Sequence, residues 1–321
     1  RRVVLVSLVA MAVSSAASAY MTQTWHLIAL WGLFSGIASG AVATVLGATI
    51  ANRWFVKHRG LAMGILTAST ATGNLIFLPV LAALASSSDW RRAVWAVAIA
   101  MLVMVPLVWK LVPGRPADVG LLPYGSDPAN PPAPAAPRVG FIATTFGALK
   151  RASRTAAFWY LFATFWVCGF TTNGLVGTHQ IALCGDHGIA PVAAAGLLSL
   201  MGVFDLIGTT ASGWLTDRYD PRRLLFVYYG LRGVSLIVLP YTNFSFYSPS
   251  IFAVFYGLDW IATVPPTLRL ATDAFGERDA PIVFGWIVAG HQIGAATAAW
   301  MGGAIRQATG SYLMAFVISG A

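Results

Sequence analysis

Ten apolar segments, each close to the length of a membrane-spanning helix, follow one another along this chain of 321 residues. They lie at about 3–20, 24–50, 61–86, 93–112, 156–180, 191–214, 224–241, 249–271, 281–304 and 311–321. A helix needs about 20 apolar residues to cross the hydrocarbon core of a bilayer. Because the backbone must form its hydrogen bonds within each segment in lipid, separated segments of this length favour helices. The sequence therefore predicts an all-α polytopic membrane protein.

The composition and the placement of charge agree with this class. The chain is 57% hydrophobic and only 10% charged, which excludes an ordinary soluble domain. When the chain is threaded alternately across a bilayer, 16 of its 20 Lys and Arg fall on one side, which the positive-inside rule places in the cytoplasm. Arg91, Arg92 and Arg306 fall on the other side, and Arg232 falls inside a span. The net charge of +9 thus reflects topology, and the expected partners are the lipid bilayer and a small solute, not nucleic acid.

A proline-rich stretch separates the fourth and fifth apolar segments. Residues 113–137 hold eight of the 17 Pro in the chain, a composition that behaves as an extended linker. We therefore divide the chain into an N-terminal bundle at 1–112, a cytoplasmic linker at 113–153 and a C-terminal bundle at 154–321.

Residues recur along the chain at an offset of about 221 positions. The matching pairs are Arg1–Arg2 with Arg222–Arg223, Phe34 with Phe255, Gly36 with Gly257, Gly64 with Gly285, and Gly73 with Gly294. One register across four segments predicts two parallel bundles of six helices, of which the first shows only helices 3 to 6. We accordingly expect two more helices, about 65 to 80 residues, ahead of Arg1 in the intact protein.

Two motifs connect this plan to a known family. The charged turn at 213–225 carries Asp217, Arg218 and the Arg222–Arg223 pair. It looks like the signature loop of the major facilitator superfamily, although Asp220–Pro221 stands where a Gly is usual. The six-plus-six repeat also resembles that superfamily, whose halves rock about a central midplane site.

The second motif narrows the resemblance. Residues 54–64, Trp-Phe-Val-Lys-His-Arg-Gly-Leu-Ala-Met-Gly, resemble the entry to the fifth helix in the monocarboxylate porter and oxalate/formate antiporter families. Those families move small organic anions, which is what the likeness implies here. Lys57 and Arg59 either form a solvated cytoplasmic anchor or join Asp217, Arg218 and Arg222 in a conformational latch.

Ionisable groups inside the spans are the strongest site candidates, because burying each one costs about 2.5 to 3.5 kcal/mol unless it is paired or faces water. They are Asp205, Arg232, Asp259 and His291, which Gln292 follows. By the resemblance, the helices with Asp205, Asp259 and His291 are the eighth, tenth and eleventh, which line the cavity, whereas Arg232 lies on a peripheral ninth helix.

Each of these groups has a structural and a functional reading. In the structural reading, Arg232 forms an ion pair with Asp205 or Asp259. His291 either bonds between helices as a neutral side chain or, since an imidazole changes charge near physiological pH, holds a proton or an anion. We expect Asp205, Asp259, His291, Gln292 and Asn173 to serve substrate or proton coupling.

Uncharged residues add further expectations. Asn173 and Gln180 are seven apart, which places them on one helix face at the cavity mouth. Pro265 and Pro266 mark a place where a helix bends.

Small residues are expected to pack helices together. Gly32, Gly36 and Gly40 recur every four residues, which favours close helix contact. Cys168 and Cys184 are expected to be packing residues, since they lack the spacing of a redox or metal pair.

The chain carries no metalloprotease, nucleophile-elbow or nucleotide-binding motif, so neither an enzyme nor a cofactor is predicted. The most consistent function is a monomeric, proton-coupled secondary transporter of small organic anions in the plasma membrane, the inner membrane of a bacterium. A drug or metabolite exporter of the same superfamily and a membrane sensor that does not transport are the alternatives.

Overall fold

The computed structural model describes residues 1–42, 50, 53–55, 73, 76–86, 89–126, 141–245 and 247–321. The α-helices, in chain order, are α1 (Arg2–Ser18), α2 (Thr24–Leu27), α3 (Gly36–Val42), α4 (Ile76–Ser86), α5 (Trp90–Leu111), α6 (Phe141–Ala152), α7 (Ala156–Gly169), α8 (Gly177–Asp186), α9 (Pro191–Thr216), α10 (Pro221–Val238), α11 (Tyr247–Asp259), α12 (Val264–Thr309) and α13 (Leu313–Gly320). Two π-helical segments, Ile28–Ser35 and Phe170–Val176, join α2 to α3 and α7 to α8. Short 3-10 turns lie at Pro116–Val119 and Leu239–Tyr241.

Five helical stretches of the described chain are long and apolar enough to cross a bilayer. They are Trp90–Leu111, Pro191–Thr216, Pro221–Tyr241, Tyr247–Gly276 and Asp279–Thr309. Shorter apolar helices lie at Arg2–Ser18 and Ile76–Ser86. The chain is an all-α polytopic membrane protein, as predicted.

The chain forms two compact units. The first consists of residues 1–70 and 80–135, and the second of residues 71–79 and 136–321. Beyond the proline-rich residues 113–137, the last part of the stretch assigned to the cytoplasmic linker is helical, because residues 141–152 form α6. The indole nitrogen of Trp286 donates a hydrogen bond to the Thr145 carbonyl at 3.2 Å, and Arg151 pairs with Asp279 at 2.6 Å. These contacts make α6 part of the second unit.

Within the first unit, α1 packs along α5. The Ser15 hydroxyl donates to the Val94 carbonyl at 3.2 Å, and the Arg91 guanidinium donates to the Ala19 carbonyl at 2.8 Å. In the described part of the chain, a Cβ added at Gly32 or Gly40 would meet no atom within 4 Å. The close contact predicted for this glycine stripe is therefore not seen among the described residues.

Within the second unit, glycines bring two helix pairs into backbone contact. Gly294 of α12 lies against the backbone of Trp166 in α7, and Gly208 of α9 lies against the backbone of Leu258 in α11. A Cβ at either glycine would collide with the neighbouring main chain. Small residues serve this purpose in membranes, where close approach strengthens packing between helices.

The span predicted at 249–271 is interrupted. The helix α11 ends at Asp259, and α12 begins only at Val264. Pro265 and Pro266 lack N–H groups, so a helix running through them would leave the carbonyls of Ile261 and Ala262 without their usual donors. The bend expected at these prolines is present, and it takes the form of a non-helical turn at 260–263.

The helix α12 also contains a kink and a defined end. Gly276 has φ 75° within it, and Gly310 follows it with φ 74°. Both angles lie in the left-handed region that Gly adopts at little cost. The kink separates the end of the interrupted span from the span that carries His291.

Candidate functional site

The charged side chains predicted inside the spans lie in the interior of the second unit. Asp205 is 9% exposed, Asp259 is 8% exposed and Arg232 is 2% exposed. These side chains therefore face protein and not the acyl chains, which is the arrangement expected of ionisable groups within a membrane.

Arg232 is the centre of this group, although the resemblance assigns it to a peripheral helix. Its Nε donates to Oδ2 of Asp259 at 2.6 Å. Of the two partners that the sequence allowed, Asp205 and Asp259, the ion pair is therefore formed with Asp259. Its Nη2 donates to the carbonyls of Asp259 at 2.5 Å and Trp260 at 3.3 Å. Although α10 is an outer helix by analogy, the long side chain carries the guanidinium inward, a reach that helix order cannot reveal.

The remaining guanidinium nitrogen of Arg232 binds α7 and its π-helical continuation. Nη1 donates to Sγ of Cys168 at 3.1 Å and lies 3.4 Å from Oγ1 of Thr171. The Cys168 sulfur also lies 3.3 Å from Oγ1 of Thr263, in the interrupted turn. Cys168 is thus buried, as expected of a packing residue, but it is also a polar neighbour of the ion pair.

Asp205 holds the interrupted turn from the opposite side. Its Oδ1 accepts the Ile261 N–H at 2.9 Å and the Thr209 hydroxyl at 2.9 Å. About two helical turns further along α9, the Ser212 hydroxyl donates to the Ala262 carbonyl at 2.5 Å. Sequence reasoning missed Ser212, although the two prolines signal that a side chain must supply a donor to this carbonyl.

Asn173 and His291 form the second part of the site. Nδ2 of Asn173 lies 3.3 Å from Nε2 of His291, which links the π-helical segment to α12. The His291 ring packs against Phe165 with 5.4 Å between ring centroids, and it also lies beside the Cys168 thiol. Within the described chain, Nδ1 of His291 is buried without a hydrogen-bond partner. Asn173 and Gln292 are exposed on the surface of the unit.

Gln180 does not share a face with Asn173, so that prediction is wrong. Asn173 is exposed, whereas Gln180 is fully buried. The intervening segment is π-helical, with i to i+5 hydrogen bonds. It therefore turns through a smaller angle per residue than an α-helix, and a spacing of seven no longer returns to the same face.

The residues predicted for a conformational latch lie at the end of α9 and the start of α10. The Arg218 guanidinium stacks on the Trp214 ring at 4.1 Å and donates to the Trp214 carbonyl at 3.2 Å. The Arg222 amide donates to the Asp220 carboxylate at 2.9 Å, which begins α10. Asp217 lies in a shallow cleft with Arg269 and Asp273.

Lys57 and Arg59, the other latch residues, lie outside the described residues. The latch therefore stays a prediction.

A further ion pair lies far along the chain from this group. Arg306 donates to both carboxylate oxygens of Asp186, at 2.7 and 2.8 Å. These hydrogen bonds lower the pKa of Asp186 below its ordinary value. The neighbouring His179 ring lies 2.9 Å from the Ala299 carbonyl and 3.3 Å from the Tyr312 hydroxyl. The contacts tie α8 to the end of α12.

The charges of the site define what it can bind. Arg232 is neutralised by Asp259, and an ion pair so deeply buried is not free to serve a second anion. Asp205 carries hydrogen bonds but, in the described chain, no ion-pair partner. A carboxylate docking at Asn173 and His291 would then take its counter-charge from a protonated His291. Among the residues that the structure describes, no three His, Cys, Asp or Glu side chains form a metal-binding group.

Comparison with known proteins gives a consistent picture. The sequence model of the Major Facilitator Superfamily matches residues 1–299. An uncharacterized MFS-type transporter of Bacillus subtilis, YcxA, is 24% identical over 98% of this chain and 74% of its own length. Monocarboxylate transporter 13 of Rattus norvegicus is 27% identical over 95% of this chain and 66% of its own length. The chain thus spans about two thirds to three quarters of these relatives.

Among solved structures, a bacterial homolog to the human lysosomal transporter Spinster, in an inward-facing and unoccupied conformation, has a similar fold. The TM-score is 0.69 at 15% identity, over 99% of this chain and 78% of that one.

Proposed function

Since the chain belongs to the Major Facilitator Superfamily, we propose that it is a secondary active transporter of small organic anions, coupled to protons and working by alternating access. Small-molecule transport across the membrane follows from the family. The anion, the proton and the mechanism are our proposal. Its sites are Asn173, His291 and Gln292 for the solute, and Asp205 and His291 for the proton, with Asp259 holding Arg232.

One observation carries the proposal: the fixed cation of the site is already neutralised. The guanidinium of Arg232 and the carboxylate of Asp259 lie 2.6 Å apart, so they add no net charge. With Asp205 ionised, the group is negative and repels an anion. Protons on His291 and Asp205 reverse the sign of the site, so anion binding and proton binding would be favourable together.

The similarity to a protein named a monocarboxylate transporter supports a small carboxylate as the solute. The charge distribution of the sequence supports a position on the cytoplasmic side for residues 113–153. We further propose that the protein is a monomer in the plasma membrane. Asp217, Arg218, Arg222, Lys57 and Arg59 are proposed to latch one conformation of the transporter.

Full-length protein in proteoliposomes provides the test. An inward proton gradient is expected to drive accumulation of radiolabelled L-lactate, with loss of accumulation on addition of a protonophore and competition by other small carboxylates. Protein-free liposomes correct for passive entry of the undissociated acid. Export of an amphipathic dye without carboxylate flux would instead indicate a drug exporter, and the absence of any flux would indicate a sensor.

A further inference from the structure

Four backbone groups of the interrupted turn are bonded by side chains of other helices. The carbonyls of Asp259 and Trp260 accept from Arg232 of α10, and the Ile261 N–H donates to Asp205 of α9. The Ala262 carbonyl accepts from Ser212, also of α9. Unbonded peptide groups at this depth would each cost several kcal/mol. Two neighbouring helices therefore fix the path of the main chain between α11 and α12.

We infer that Arg232 is a positioning residue for Asp205, acting through the main chain of the interrupted turn. Its guanidinium binds two successive carbonyls, at 259 and 260, and the Ile261 N–H that Asp205 accepts belongs to the same peptide group as the Trp260 carbonyl. Because the peptide bond is planar, holding the Trp260 carbonyl also sets the direction of the Ile261 N–H. The inference rests on the proposed proton coupling at Asp205, which it extends to a residue that contacts neither proton nor solute.

The charges that act on Asp205 explain why the turn would respond to its protonation. Among the described residues, Arg232 of α10 and Asp259 of α11 are the charged groups that act on the Asp205 carboxylate, and they are paired with each other. Thr209 of its own helix is a neutral donor. A hydrogen bond from a backbone N–H to an ionised carboxylate is stronger than one to a neutral group. The Ile261 N–H bond therefore weakens when Asp205 takes up a proton.

Hydrogen exchange of the Ile261 amide tests this inference in substrate-free, full-length protein in lipid nanodiscs. Arg232→Lys keeps the charge but cannot bind two carbonyls through a planar fork. We expect exchange at Ile261 to accelerate about tenfold or more, the effect of losing one hydrogen bond to a charged acceptor. If this variant is not recovered folded, Arg232→Gln with Asp259→Asn removes the same donors without leaving an unpaired charge, and the same acceleration is expected.

A double-mutant cycle separates positioning from general loosening. In an Asp205→Ala background the acceptor is gone, so Arg232→Lys is expected to add no further acceleration at Ile261. Arg306→Lys, a matched change at the pair with Asp186, should leave this peptide unchanged. Additive effects of the two substitutions, or unchanged exchange in the Arg232 variants, would overturn the inference.

A pH series on the wild-type protein tests the proposed function independently. Exchange at Ile261, corrected for its intrinsic pH dependence, is expected to accelerate as pH falls from about 8 to 5, the range of physiological proton coupling. A flat series together with a non-additive cycle would refute proton coupling at Asp205 and leave the positioning role of Arg232 intact.

Discussion

The guanidinium Nε of Arg232 lies 2.6 Å from Oδ2 of Asp259, with the arginine side chain only 1% exposed. Both residues also determine where α11 stops. Asp259 is the last residue of α11, and Arg232 donates a hydrogen bond to its carbonyl. The ion pair thus holds the end of α11 in place in addition to setting the charge of the site. Its removal is expected to affect stability in a way that depends on which partner is lost.

Arg232→Ala should destabilise the protein strongly, by about 3–5 kcal/mol, because it leaves the Asp259 carboxylate buried and uncompensated. Arg232→Met combined with Asp259→Leu removes both charges and leaves only backbone carbonyls without a donor, so the loss should fall to about 1–3 kcal/mol. Thermal unfolding in detergent would compare the variants. A double variant less stable than the single one would contradict this account of the pair.

Gly208→Ala is expected to destabilise the contact between α9 and α11 by about 1–3 kcal/mol, the usual cost of overpacking. The new methyl group would meet the Leu258 backbone, and one helix must move away. Gly196→Ala on the same helix is the control, since a Cβ there meets nothing within 4 Å in the described chain. Scanning fluorimetry should show a lower Tm for the first variant only, and equal Tm values would refute the close contact.

The pair of Asp186 and Arg306 predicts a pH dependence of stability. The hydrogen bonds from Arg306 lower the pKa of the Asp186 carboxyl, so this group stabilises the folded state above its unfolded pKa of about 3.9. The stabilisation is lost as pH falls through the lower folded pKa. The side chain of Arg306 is 37% exposed and that of Asp186 is 30% exposed, so the effect on stability should be small.

Tm measured against pH, for the wild type and Asp186→Asn, would reveal this contribution. The wild type should be the more stable at pH 6, and the difference should shrink below about pH 4. A difference that grows with acidity would have the wrong sign for this pair.

The sequence predicted the features that depend on local chemistry. The helical spans, the depth of Asp205 and Asp259, and the bend at Pro265–Pro266 follow from hydropathy and from the missing N–H groups of proline. The sequence could not decide whether Arg232 pairs with Asp205 or with Asp259, because a span can be recognised without knowing which helix its side chains contact.

The π-helical segment Phe170–Val176 explains why the prediction that Asn173 and Gln180 share a helix face was wrong. Its widened turn changes which residues share a face with Asn173, and the residues themselves, Phe-Thr-Thr-Asn-Gly-Leu-Val, carry no distinct signal of it. Gly174 of this segment lies in tight contact with Ala295 of α12, so the segment is packed against a helix that is distant in sequence.

Proton movement driven by a carboxylate gradient, in proteoliposomes loaded with a pH-sensitive dye, tests the central claim most directly. With full-length wild-type protein, inward L-lactate should acidify the lumen faster than in protein-free liposomes, and His291→Ala should abolish the excess because the site loses its cationic partner for the anion. His187→Ala, which alters an exposed histidine outside the site, should leave the rate unchanged. Wild-type acidification by the His291 variant, or wild-type flux without acidification, would contradict proton coupling through this site.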